Sequence, residues 1–214
     1  MIQIKKFSVN PFGVNSIILY DESKECIIID PGFSNESEKL ALTNFIEEKG
    51  LHVVKLVNTH CHIDHIMGNR FVSETFGVKL HAHADDQYNI DSSEQTAIIY
   101  GLPKPNSPDI EVFLNDGDFL RFGNSSIEIL LTPGHTKGHV SLFAKEDKFA
   151  ICGDVLFQGS IGRTDLPGGD YDTLINSIKT KLFVLPDDTK VYSGHGEETS
   201  IGLEKRFNPF LREN

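Results

Sequence analysis

Within Thr59-His60-Cys61-His62-Ile63-Asp64-His65, three imidazoles and one carboxylate fall in six consecutive positions. Imidazole and carboxylate are borderline and hard donors that suit zinc, iron or manganese, and two histidines followed by Asp-His offer enough donors for two separate ions. A histidine tract on a solvated surface is the plain alternative. Here the run follows Val53-Val54-Lys55-Leu56-Val57-Asn58, an apolar stretch that reads as a buried strand and would deliver the donors at its carboxyl end, where open α/β sheets place their chemistry.

Three further segments repeat that arrangement, each setting a ligand-type residue directly after an apolar strand. Ile127 to Leu131 leads through Thr132-Pro133-Gly134 to His135; Phe149-Ala150-Ile151-Cys152-Gly153 leads to Asp154; Val191-Tyr192-Ser193-Gly194 leads to His195, which Gly196 follows. Singly, a histidine after a turn is more often an exposed loop residue than a ligand. With the first run, however, these make a set of seven candidate metal donors: His60, His62, Asp64, His65, His135, Asp154 and His195. Asp64 and Asp154, its two carboxylates, are the candidate catalytic residues. The glycines beside His195 are expected to leave its ring room to approach a metal.

The elements that must position these residues follow from hydrophobic pattern. Runs of Ile, Val, Leu and Phe predict strands at about 2–9, 14–20, 25–30, 53–58, 78–82, 118–122, 126–132, 139–145, 148–152 and 189–193. A helix is expected over 36–49, where Asn35 and Glu38 spell a capping box, Leu42, Phe45 and Ile46 share a face, and Gly50 ends it. Another opens after Asp170, with Leu174, Ile178 and Leu182 four residues apart and Pro186 as a stop. Helical turns are expected near 67–76, 83–100 and 199–207, and a loop, too short for a domain linker, over 101–109.

The 214 residues suit one domain spanning 1–214, with 39% hydrophobic content, 18 Gly and 9 Pro. No apolar stretch is long enough for a membrane helix, and the N-terminus lacks the pattern of a secretory signal. A net charge of −11 argues against nucleic acid as a partner, since phosphate binding draws on Lys and Arg. Cys26, Cys61 and Cys152 are too scattered for a disulfide framework, which points to a reducing cytoplasm. Alternation in extended chain turns Cys61 away from a metal that His60 and His62 face, so it reads as structural.

At the seven donors the chain resembles the metallo-β-lactamase superfamily, whose signature is H-x-H-x-D-H followed by a later His, Asp and His. The resemblance implies a four-layer αβ/βα sandwich of two mixed sheets with helices outside. It also implies that His60, His62 and His135 hold one metal, that Asp64, His65 and His195 hold the other, and that Asp154 bridges them. Thr132-Pro133-Gly134-His135-Thr136-Lys137-Gly138-His139 and Gly162-Arg163-Thr164-Asp165-Leu166-Pro167-Gly168-Gly169-Asp170 look like the glyoxalase II group. With 19 residues after His195, the chain resembles its short bacterial relatives, which lack the C-terminal helical domain for glutathione. Mononuclear iron persulfide dioxygenases share the Gly-Arg-Thr-Asp segment and form the competing reading; a non-catalytic metal-binding module is a third.

Two metal ions about 3.5–4 Å apart lower the pKa of a shared water toward ~7 and polarise a carbonyl. A thiolate leaves without prior protonation because its thiol has a pKa near ~8.5, whereas an amine needs a proton delivered. The expected reaction is therefore hydrolysis of a small thioester, S-lactoylglutathione or a relative, with two divalent ions per chain, zinc first and iron or manganese as alternatives. His81 and His83 mimic a ligand pair but have no assignable partner, His139 is expected to orient a neighbouring ligand, and His52 to lie on the surface. Arg163 and Asp165 either contact an anionic substrate or brace their loop as a mutual ion pair, with bracing favoured.

Overall fold

The structure, a computed structural model, describes residues 1–212. The chain packs as two compact units, one formed by Met1–Phe113 with Arg121–Ser126, the other by Leu114–Leu120 with the chain from Ile127 onward.

In the first unit, β1 (Gln3–Val9), β2 (Val14–Tyr20) and β3 (Glu25–Ile29) form an antiparallel meander, after which α1 (Glu36–Lys49) crosses to β4 (His52–Val57). Short helices α2 (Ile63–Ile66) and α3 (Asn69–Phe76) lead to β5 (Leu80–Ala82), then a 3₁₀ turn, α4 (Gln87–Asp91) and α5 (Ser93–Tyr100) lead to β6 (Val112–Phe113). The sheet runs β1-β2-β3-β4-β5-β6, and its last four strands are parallel. Parallel strands joined by helical crossovers are covered on both faces, so β3 carries Cys26-Ile27-Ile28-Ile29 without an exposed position. Leu42 and Ile46 of α1 pack against Ile28, Val53 and Leu56, each such side chain contributing roughly 1.5–3 kcal/mol of burial.

Asn35 caps α1 by accepting the Glu38 amide at 3.0 Å, and Gly50 closes it in the left-handed region at φ 61°. The reciprocal half of the expected capping box is different. The Glu38 carboxylate accepts from the Ser34 amide at 2.7 Å and the Asn10 amide at 2.9 Å, so it ties the helix start to the β1–β2 turn.

The second sheet runs β14-β13-β10-β9-β8-β7 and uses β7 (Phe119–Phe122), β8 (Ser125–Leu131), β9 (Val140–Ala144), β10 (Phe149–Gly153), β13 (Lys190–Ser193) and β14 (Thr199–Ser200). β10 and β13 pair in parallel, whereas β8–β9, β9–β10 and β13–β14 are antiparallel. A small hairpin of β11 (Leu156–Phe157) and β12 (Ser160–Ile161) follows β10; α6 (Tyr171–Ser177) and α7 (Ile201–Phe207) complete the second unit. Leu174, Ile178 and Leu182 are buried together as expected, but the α6 segment changes to π geometry over Ile178–Leu182. A step of four over-rotates an α-helix and under-rotates the wider turn, so the two errors offset and the three side chains stay on one face.

The expected strands are present with ends within two residues of prediction; β6, β11, β12 and β14 are additional. Two-residue strands carry no alternation that a sequence pattern could register. Among the described residues no helix is long and apolar enough to cross a membrane.

Candidate metal centre

The donors of the first unit stand just beyond β4. His60 and His65 are fully buried, His62 is the residue before α2, and Asp64 lies on α2 itself. The His60 ring centroid is 4.9 Å from that of His62 and 4.2 Å from that of His65, and His65 Nε2 lies 3.7 Å from Asp64 Oδ2.

A buried acid outside the predicted set orders them. Asp30, directly after β3, accepts the Thr59 amide at 2.7 Å and the Thr59 hydroxyl at 2.6 Å, and its Oδ2 faces His65 Nδ1 at 3.2 Å. Donor atoms of Asp30, His60 and His65 all lie within 4.8 Å of one another. Because the Thr59 hydroxyl gives its hydrogen to Asp30, it acts as acceptor toward His60 Nδ1 at 3.2 Å. The proton of His60 is thereby assigned to Nδ1 and its ligand lone pair to Nε2, while the Asp30 carboxylate stands beside Nδ1 of His65. Asn58 donates to the His65 carbonyl at 3.2 Å and accepts from Asn69 at 2.7 Å. Asn10, itself at φ 54°, donates to the carbonyls of Gly32 and Asp64, both at 2.9 Å. A Cβ on Gly32 would come within 2.7 Å of that Asp64 oxygen, so the junction requires glycine.

In the second unit the parallel pairing of β10 with β13 sets Gly153 opposite Ser193, and the Gly194 amide bonds the Gly153 carbonyl at 2.7 Å. Asp154 and His195 consequently leave adjacent strand ends. Asp154 Oδ2 lies 3.7 Å from His135 Nε2 and 3.5 Å from His195 Nε2. Both separations suit ligands that share ions. His135 Nδ1 faces the Arg163 carbonyl at 2.8 Å, an acceptor only, which assigns its proton to Nδ1 and frees Nε2. His139 serves Asp154 as expected: its Nε2 accepts the Asp154 amide at 3.1 Å while Nδ1 meets the Thr132 hydroxyl at 3.0 Å.

Glycine acts here through space and through backbone. A Cβ on Gly162 would fall 1.8 Å from the Asp154 carbonyl oxygen and 3.3 Å from His135 Nδ1. Gly196 differs from expectation: a Cβ there would meet nothing within 4 Å, and its contribution is the φ of 70° that turns the chain after His195.

Each unit therefore assembles the predicted donors that it contains, and imidazole Nε2 atoms with carboxylate oxygens make a donor set that fits divalent transition metals. Cys61 is buried, its amide bonds Asp86 Oδ2 at 2.6 Å, and burial, then the charges of Asp86 and Asp30, push its thiol far above the ordinary range. His81 Nδ1 bonds the Lys79 and Leu56 carbonyls at 2.9 and 3.2 Å, and His83 Nδ1 accepts the Asp85 amide, so both are engaged locally. His52 is exposed. Arg163 and Asp165 pair through two bonds of 2.7 and 2.8 Å, and this guanidinium holds the Asp165 carboxyl at about 2.

The family model described as the metallo-beta-lactamase superfamily matches residues 9–195, from the end of β1 to His195. The chain belongs to the metallo-β-lactamase superfamily. Its fold is the α/β sandwich of that superfamily, with two mixed sheets and flanking helices, and it is a metal-dependent hydrolase. Hydroxyacylglutathione hydrolase GloC of Haemophilus influenzae is 42% identical over 213 residues, covering 98% of both chains. The solved structure of BLEG-1, a B3 metallo-β-lactamase, matches with a TM-score of 0.90 at 34% identity, covering 99% of this chain and 100% of that one. TTHA1623, solved in a di-iron-bound form, matches at 0.84 and 34%, covering 97% and 100%.

Proposed function

We propose that this metallo-β-lactamase-superfamily chain is a glyoxalase II-like thioesterase working with two divalent ions, zinc first and iron or manganese as alternatives. In this reading His60, His62 and His135 hold one ion, Asp64, His65 and His195 hold the other, and Asp154 bridges. The observation that carries it is the Asp154 carboxylate, whose Oδ2 stands 3.7 Å from Nε2 of His135 and 3.5 Å from Nε2 of His195. The likeness to the GloC hydrolase and to the di-iron form of TTHA1623 supports the same reading.

When bound, such ions acidify a water and polarise a carbonyl. The chain's own residues prepare for that chemistry. Thr59 and the Arg163 carbonyl keep the protons of His60 and His135 on Nδ1, so these rings need not re-orient when a metal arrives, and the Asp30 carboxylate lies beside His65. His139 fixes Asp154 through its amide. The donor set contains no dedicated proton donor for a leaving group, which favours thiolate over amine departure.

Protein purified without chelator is expected to hold two transition-metal ions per chain and to hydrolyse S-lactoylglutathione. One iron per fully active chain, with oxygen uptake on glutathione persulfide, would overturn this reading in favour of the dioxygenase. Asp154→Ala is expected to lose more than about 100-fold in turnover while keeping its circular dichroism spectrum; near-normal turnover would remove the bridging role.

A further inference from the structure

The β11–β12 hairpin sits between two parts of the centre. It begins just after Asp154 and runs into Gly162-Arg163, whose carbonyl holds His135. Alternation along β11 puts Leu156 wholly in the core and Phe157 on the opposite side, half-buried, with its ring centroid 6.4 Å from that of His195.

Two strands of two residues do not hold themselves together in water. This hairpin is instead fastened from three directions. The Ser193 hydroxyl donates to the Leu156 carbonyl at 2.6 Å. Glu204 on α7, only 3% exposed, accepts the Gly159 turn amide at 2.9 Å and the Asn208 side-chain amide at 2.8 Å on Oε2, and the Thr199 hydroxyl on Oε1. Asn208, fully buried, donates its other hydrogen to the Ser160 carbonyl at 2.9 Å. The donors to Glu204 are all neutral. Burying a carboxylate is costly, and charge-assisted bonds to a turn amide are the return on it. A fastening of that strength serves a turn whose only ring beside the metal centre is Phe157.

We infer that the hairpin is a specificity lip: Phe157 is an apolar wall for the group flanking the scissile bond, and Glu204 is the positioning residue that holds the wall in place. The inference rests on the proposed reading of His195 as part of the reacting centre, and it assigns the site a preference for substrates with an apolar substituent at that bond.

The test is binding to metal-loaded protein of S-hexylglutathione and S-methylglutathione, thioethers that cannot hydrolyse, followed by calorimetry. Wild type is expected to prefer the hexyl ligand by about tenfold or more, and Phe157→Ala and Glu204→Ala to reduce that preference below about threefold. Glu204→Gln is expected to retain it, since one amide oxygen still accepts from Gly159 and Asn208 while the Thr199 hydroxyl turns to accept. With thioester substrates the loss falls on KM for apolar acyl groups more than on kcat. A flat wild-type preference, or one unchanged in Phe157→Ala, overturns the lip. Lowered metal content in Glu204→Ala with the preference intact overturns the positioning role; if that variant does not fold, Phe157→Ala and Glu204→Gln decide. Wild type that hydrolyses no thioester would defeat the proposed reaction, while the binding comparison still decides the lip.

Discussion

Asp30 accepts from both the amide and the hydroxyl of Thr59 and faces His65 Nδ1, all in a fully enclosed position. Asp30→Asn places an NH2 group against donors, so it is expected to lower metal affinity at His65 by about 10–100-fold, read by competition with a chromophoric chelator; unchanged affinity would show that the ring needs no such partner. The seven candidate donors stand out in the sequence because each group of them follows an apolar strand. Asp30 obeys the same rule, after Cys26-Ile27-Ile28-Ile29, and escaped only because no second ligand type stands beside it in the sequence. Asn58, Asn69 and the Arg163 carbonyl were not legible at all. Asparagines serve turns and caps as readily as networks, and a main-chain oxygen leaves no trace in side-chain identity.

Strands and the principal helix could be read because their periodicities are strong, whereas the π segment over Ile178–Leu182 and the two-residue strands are set by tertiary contacts alone. The strand-borne cysteines give this scale a pH signature. Burial in β3 and β10 pushes the Cys26 and Cys152 thiols up to about 12 from 9.0, and burial also raises that of Cys61, just beyond β4, well above 9.0. A raised folded-state pKa means that the unfolded chain ionises first as pH rises. The thiols' contribution is therefore complete below pH 9 and declines from there toward 12. Melting temperature should fall steeply above pH 9, and the native protein should resist a disulfide-exchange reagent at pH 8 until denatured. Prompt reaction of any thiol in the native state would contradict this. Gly162 offers a second element-scale test. The segment it opens lies so close that a Cβ would fall 1.8 Å from the Asp154 carbonyl, so Gly162→Ala should displace the Arg163 carbonyl from His135 and cut turnover by more than about tenfold with the fold retained.

For the whole molecule, a net charge of −11 opposes anionic ligands, and the obvious cations are already engaged: Arg163 with Asp165, Lys205 with Asp187 at 2.7 Å. Hydrolysis of S-lactoylglutathione is accordingly expected with a KM near the millimolar end of the usual range, alongside tolerance of thioesters built on other thiols; a low-micromolar KM confined to the glutathione ester would reveal a dedicated pocket. The order of strands has a different kind of consequence. In the first sheet every strand lies beside its neighbour in sequence, and the β1–β2–β3 meander closes only short turns, so it can form as the chain grows. In the second, β10 must wait for β13, with β11, β12 and α6 intervening. Pulse-labelled hydrogen exchange during refolding should therefore protect amides of β2 and β3 before those of β10 and β13, and on the ribosome the β1–β3 meander can order while β13, the strand that leads to His195, is still being made.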